Sequence, residues 1–149
     1  MLVAVPETMI NVAIYTSVIL AALGLYIASY FTLVYYGLLE ANTKLVPSVC
    51  QLEERSCQTV LGTRYARIFG VPNSLLGVLY YLFIIIVILG GFTEASISKG
   101  LIAVAWFTVA VGIGLTYALF FIIRVPCPLC LTGHTINLAL AILLTILLG

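Results

Sequence analysis

Four apolar stretches, separated by polar segments of very unequal length, organise the chain. The first runs roughly from Ile10 to Tyr36, the second from Ser74 to Gly90, the third from Leu101 to Ile123, and the fourth from Cys130 to Leu148. Crossing a hydrocarbon core of about 30 Å takes about 20 helical residues, so each stretch is long enough to span. The first exceeds that length, which predicts tilt or extension beyond the bilayer. Strict polar–apolar alternation is absent, so helices rather than barrel strands must satisfy the backbone in lipid.

The connections differ sharply. A short link, Gly91 to Gly100, carries Thr93, Glu94, Ser96 and Lys99. Between the third and fourth stretches stand only Arg124, Val125 and Pro126. The long connection, Glu40 to Asn73, holds most of the charge: Glu40, Lys44, Glu53, Glu54, Arg55, Arg64 and Arg67. A connection of that length is usually functional or disordered. Its apolar anchors, among them Val60, Leu61, Tyr65, Ile68 and Phe69, argue against disorder. Within it, the segment Thr59 to Phe69 reads as a short amphipathic helix at the interface. The expected architecture is therefore all-α: one membrane domain over residues 1–149, a four-transmembrane-helix bundle with a long loop and short interfacial helix between its first two helices. Neither internal repeats nor low-complexity tracts break this pattern.

Composition agrees. The chain is 64% hydrophobic and 7% charged, against about 25% charged in soluble domains. Six basic and five acidic side chains could not cover a soluble fold of this apolarity. A net charge of +1 argues against nucleic acid as a partner. No basic segment and small-residue cleavage site precede the first stretch, where Pro6 and Glu7 stand instead. It therefore reads as a retained helix rather than a signal peptide.

An even number of spans puts both termini and the short link on one side, and the long loop and third connection on the other. All four cysteines, Cys50, Cys57, Cys127 and Cys130, fall on or near that second side, so they can meet. Cys127-Pro128-Leu129-Cys130 opens the fourth stretch. Residues three apart on a first turn are close enough to bridge. The free N–H groups there favour a thiolate on the first cysteine, and proline suits a first turn. Such a spacing also arises by accident, in roughly one chain in twelve with this many cysteines. The second spaced pair, Cys50 and Cys57, raises its weight. Tetrahedral zinc is the competing use of four thiolates, but a Cys50–Cys57 spacing of seven is loose for a zinc knuckle, and no metal is expected. A disulfide between Cys50 and Cys57 would close a short loop and be labile enough to exchange with an external thiol protein. Its thiols would then reduce a Cys127–Cys130 disulfide. Flavin and nucleotide motifs are missing, and Cys130 lies at the depth of a lipid-soluble quinone headgroup, which makes a quinone the natural electron sink.

With these residues in view, the chain resembles the vitamin K epoxide reductase family, including its microbial quinone-coupled members. The resemblance rests on the four-stretch order, the Cys50 and Cys57 loop pair, Phe69-Gly70-Val71-Pro72-Asn73-Ser74-x-x-Gly77, and Cys127-x-x-Cys130. It implies a helical bundle around a quinone pocket capped by the loop. By that resemblance Cys130 attacks the quinone, Cys127 exchanges with Cys57, and Cys50 meets a thioredoxin-like partner. Thr63 occupies a position where the family usually has serine, and Asn73 matches the asparagine that hydrogen-bonds a quinone carbonyl. Both are expected at the quinone site. One position departs: His134 stands where animal members carry a quinone-touching tyrosine. It lies one turn below Cys130 on the same face, and an ionisable residue inside a span is a functional candidate. A histidine there can donate to a quinone oxygen or carry its proton. The departure leaves reduction of vitamin K epoxide itself without support from these residues.

Other residues have plainer expectations. Tyr30, Tyr35 and Tyr36 read as an interfacial aromatic belt. Gly112 and Gly114 read as close-packing positions in the third helix, and Arg124 as a side chain that snorkels to the interface. The membrane orientation is contested. Lys44, Arg55, Arg64, Arg67 and Arg124 sit on the cysteine side, with Lys99 and the terminal amine opposite. By the positive-inside rule the cysteines would face the cytoplasm, whereas the family resemblance implies the outside or a lumen. The expected activity is a membrane thiol–disulfide oxidoreductase passing electrons from a thioredoxin-like partner to a quinone. The alternative is a multi-pass scaffold or metal-binding module with structural thiols.

Overall fold

Each apolar stretch folds as a helix, and the helix ends fall at the chain's breakers. The computed structural model describes residues 6–39 and 59–149. Its long helices are α1 (Glu7–Tyr35), α2 (Asn73–Gly90), α3 (Ala95–Tyr117) and α4 (Pro128–Leu148). All are long and apolar enough to cross a membrane. Helix α2 stops at Gly91, whose φ of 67° is open to glycine at little cost. The Gly91 and Phe92 N–H groups there donate to Ile88 and Val87 carbonyls that the helix leaves orphaned. Helix α3 begins at Ala95, earlier than Leu101, because Ser96, Ser98 and Lys99 lower the hydropathy without breaking the helix. It continues as a π-helical turn, Ala118–Ile123, and ends at Arg124, which adopts a left-handed φ of 57°. Cys127 then takes the extended backbone that a residue before proline prefers, and Pro128 enters the first turn of α4.

The segment Thr59 to Phe69 departs from the interfacial helix expected of it. Residues 59–62 are helical, but a 3-10 turn (Arg64–Ala66) and a hairpin of β1 (Arg67–Ile68) with β2 (Val71–Pro72) follow. The strands pair antiparallel with Arg67 opposite Pro72 and Ile68 opposite Val71. Phe69 and Gly70, at φ of 52° and 82°, form the two-residue turn. Positive φ at both central positions is what such a hairpin turn requires. Two local features end the helix: Gly62, and the turn chemistry of Gly70-Val71-Pro72.

In lipid, helix association rests on close van der Waals packing rather than on hydrophobic burial from water. Helix α1 supplies a stripe of small residues, Ser17, Ala21, Gly24 and Ala28, all buried. Their spacing of three and four residues keeps them on one face. That face lets α1 pack against both α2 and α4, while α4 also packs against α3. The consecutive helices α2 and α3 are therefore the two flanks of the bundle and barely touch. Tyr15, Ile19, Leu23 and Tyr26 point outward on the opposite face of α1. Tyr36 is exposed and meets Tyr35 edge-on, with ring centroids 5.2 Å apart, as an interfacial belt requires. Tyr30 does not join it. It is buried with Phe31, Leu119 and Cys127 in a second core cluster, because its position on the helix turns it inward.

Candidate functional site

The α3–α4 junction builds a redox pair with two different faces. Cys127 and Cys130 are joined by a disulfide, with Cα atoms 5.3 Å apart. Cys127 is the N-cap of α4, and its Sγ accepts a hydrogen bond from the Cys130 N–H at 3.3 Å. A backbone donor at the positive end of a helix is thus aimed at that sulfur, and would hold its charge when the bond is reduced. Cys127 has 0% of its surface exposed. It is enclosed by Tyr30 and Phe31 of α1 and Leu119 at the end of α3, with Val60 and Leu61 of the loop's helical turn packed over the same cluster. Cys130 is only partly buried, and it lines a cavity of about 470 Å³ inside the bundle.

That volume lies in the range of pockets for small organic ligands, about 300–1,000 Å³. Its walls are mostly apolar, with polar groups at a few points. Asn73, at the start of α2, and His134, on α4, reach the same cavity as Cys130. Gly112 of α3 makes room for His134: a Cβ there would fall 2.9 Å from the imidazole Nδ1. Gly114, two residues on and on the other side of α3, has open space around it and plays no such part. Gly24 of α1 gives the same kind of room to the Tyr81 ring. The lining extends to Phe83 of α2 and Phe107 of α3, both exposed on the outer surface. The cavity therefore reaches toward lipid through the gap that α2 and α3 leave between them.

Three residues expected from the sequence, Asn73, Cys130 and His134, thus share one cavity. Thr63 is not among its lining residues; its hydroxyl donates to the Val60 carbonyl at 2.7 Å and so closes the helical turn above. Arg124 is exposed, in keeping with a snorkelling side chain, and Arg64 lies over the Tyr65 ring at 5.3 Å. Cys50 and Cys57 lie outside the described residues.

Several polar groups in the cavity were not expected. Tyr80 and Tyr81 of α2 and Asn137 of α4 all line it. The Tyr81 hydroxyl donates to Asn137 Oδ1 at 2.6 Å, tying α2 to α4 across the interior. The Ser74 hydroxyl oxygen is buried without a hydrogen-bond partner among the described residues, and the buried Tyr80 hydroxyl has the Thr108 side chain of α3 beside it. Asn137 had a visible signal in the chain. It follows Cys130 and His134 at the spacing i, i+4, i+7, and a polar side chain on such a stripe inside a span marks a lined interior. The model of the vitamin K epoxide reductase family matches residues 15–145 of the chain.

Proposed function

Because the chain belongs to the vitamin K epoxide reductase family and is a multi-pass membrane thiol–disulfide oxidoreductase, we propose that it moves electrons from a thioredoxin-like protein to a quinone. Electrons enter through Cys50 and Cys57, pass to Cys127 and Cys130, and leave to a quinone in the lipid phase. The observation that carries this reading is the split environment of the redox pair: Cys127 is sealed under the loop's helical turn, while Cys130 opens to an apolar cavity.

The chemistry balances as a two-electron exchange. When the Cys127 and Cys130 thiols close to a disulfide, two electrons and two protons leave, and a quinone takes up both as it becomes a quinol. The residues present fit a planar quinone headgroup. The cavity is apolar and large enough, and Asn73 can donate to a carbonyl beside Cys130. The unpartnered Ser74 hydroxyl at the same end supplies a further donor. His134, one turn deeper than Cys130, hydrogen-bonds the headgroup or carries its proton. The gap between α2 and α3 gives an isoprenoid tail a way out into lipid.

On the thiol side, Cys57 attacks Cys127, and Cys50 exchanges with the partner. Only two residues separate Cys57 from Val60, whose side chain packs over the Cys127 cluster. A three-residue step reaches about 10 Å at full extension, so the chain tethers Cys57 near its target. Thr63 acts by holding the turn that carries Val60 and Leu61. Net flux runs toward disulfides in the partner, supporting disulfide formation in client proteins.

The test is reoxidation of the reduced, purified protein by a quinone, followed by thiol alkylation and mass measurement. Cys127 and Cys130 should become protected from alkylation as quinone is consumed, and a reduced thioredoxin-like protein should sustain turnover. Thiols that stay reactive in the presence of quinone would overturn the reading. In the Cys130→Ala variant, Cys127 should accumulate in a mixed disulfide with Cys57, and its absence would count against the relay order. A reporter fused after Gly149 fixes the side: activity outside the cell places the cysteines inward, as the charge count has it.

A further inference from the structure

The gap between α2 and α3 is bridged by a polar contact that the electron relay does not require. Elsewhere the bundle is closely joined. Gly77 brings the α2 backbone against Ala28 of α1, and the Tyr81 hydroxyl ties α2 to Asn137 of α4. His134 of α4 sits against Gly112 of α3, and the Trp106 indole N–H of α3 donates to the Thr145 hydroxyl of α4 at 3.1 Å. Helices α2 and α3 have no comparable seam. Two short stripes face each other there. Leu76, Tyr80 and Phe83 recur at spacings of four and three on α2, and Val104, Phe107 and Thr108 share one face of α3. All six line the cavity. Leu76, Phe83, Val104 and Phe107 are also exposed on the outer surface, whereas Tyr80 is buried and Thr108 half-buried. The exposed four are the outer lips of the gap, and Tyr80 and Thr108 are its inner threshold.

Across that threshold the Tyr80 hydroxyl has the Thr108 side chain as its hydrogen-bond partner. The Thr108 hydroxyl already donates to the Ala105 carbonyl at 2.7 Å, so it meets Tyr80 as an acceptor. The contact is looser than the 2.6 Å bond that the neighbouring Tyr81 makes to Asn137. Lipid offers a phenol no acceptor, so the Tyr80 hydroxyl holds to Thr108 and keeps the two walls together at this depth. Any chain lying through the gap must part them. A quinone offsets that cost with its headgroup contacts near Cys130. A lipid acyl chain has no headgroup to seat in the cavity and offsets nothing.

We propose that Tyr80 and Thr108 are a latch across the α2–α3 gap, closed at rest and held open by the tail of a bound isoprenoid quinone. This rests on the quinone reading above and deepens it. The latch sets how well the site tells tailed from tail-less quinones. A tail-less quinone passes and the latch closes behind it, so its bound state keeps the Tyr80–Thr108 contact. A tailed quinone leaves its chain in the gap, and its bound state forgoes that contact. The apparent affinity for tailed quinones is therefore reduced by the closed population, and weakening the latch raises it. Between turnovers the closed latch keeps acyl chains of the bilayer out of the cavity.

The experiment measures reoxidation of the full-length, reduced protein in phosphatidylcholine vesicles by menadione and by the same headgroup carrying a four-isoprene tail, with KM and kcat determined separately. Tyr80→Phe is the clean variant, because the Thr108 hydroxyl keeps its bond to the Ala105 carbonyl. It should lower KM for the tailed quinone about fivefold, the worth of one hydrogen bond, and change KM for menadione by less than about twofold. Thr108→Val should act in the same direction, and should add nothing in a Tyr80→Phe background. A KM that rises for both quinones in Tyr80→Phe makes the hydroxyl a headgroup ligand and overturns the latch. Equal changes for the two quinones, as from a general loosening of the bundle, overturn it too, as does no change for either. Additive effects of the two substitutions show that the side chains do not act on each other, and overturn it likewise. If neither quinone reoxidises the wild-type protein, the quinone reading itself has failed and the latch with it.

Discussion

Gly112→Ala should disable the site through a neighbour it does not chemically resemble. An ideal Cβ at Gly112 would lie 2.9 Å from His134 Nδ1 and 3.4 Å from its Cγ. Comfortable non-bonded contact is about 3.5–4.0 Å, so the ring must retreat by roughly half an ångström to an ångström. The α3 backbone blocks one side, and the cavity takes the displacement. Alanine in a helix gains about 0.5–1 kcal/mol over glycine, while overpacking of this kind costs about 1–3 kcal/mol. The net effect on stability thus runs from about zero to a loss of about 2.5 kcal/mol. Activity is more sensitive, since a misplacement of about 1 Å can cost about a hundredfold. Quinone-dependent reoxidation should lose about ten- to a hundredfold in kcat/KM, while the unfolding temperature falls by at most about 10 °C. Gly114→Ala is the control. With nothing near its Cβ position, it should keep full activity and unfold at the same or a higher temperature. The decisive measurement is the double variant. In a His134→Ala background the ring is gone, so Gly112→Ala should cost nothing further. Equal losses in both backgrounds would show that Gly112 does not act through His134.

His134→Ala itself should raise the quinone KM or lower turnover; if neither moves, His134 is not part of the pocket. After reduction, a membrane-permeant maleimide should modify Cys130 faster than Cys127, because only Cys130 opens to the cavity; peptide mapping that found equal rates would refute the split environment. Gly24→Ala drives a Cβ into the Tyr81 ring and should destabilise the protein by about 1–3 kcal/mol, read by thermal unfolding. An unchanged unfolding temperature would mean that α1 and α2 can separate freely at this crossing.

What the chain discloses without a structure is what depends on spacing along one helix. Cys127, Cys130 and His134 lie on one stretch, and the Asn73 motif marks where the next wall begins. Contacts that join distant parts of the chain were not legible. The Tyr81–Asn137 hydrogen bond spans 56 residues, and no local pattern announces it. The fit of His134 into the Gly112 notch likewise depends on how α3 and α4 cross. Tyr30 was misassigned because an aromatic near a span end suits both an interface and an interior, and only helix rotation decides between them. The hairpin at Arg67–Pro72 was hidden by its brevity: two-residue strands have no periodicity to detect. The start of α3 was set too late because hydropathy falls before helical geometry does.

The unequal burial of the two cysteines also bears on what the enzyme prevents. Reductants that dissolve in water and oxidants that dissolve in lipid would otherwise react with each other wherever they met. Here Cys127 has no exposed surface and Cys130 lines the interior cavity, so on the proposed route a single sulfur–sulfur bond is the junction between the two compartments. Such a junction is insulated against short circuit. On the proposed route, the sealed Cys127 meets a thiol only when the covering turn of Val60 and Leu61 admits one, while Cys130 meets the oxidant from the cavity. Selectivity for the partner and protection against futile oxidation are then the same physical property.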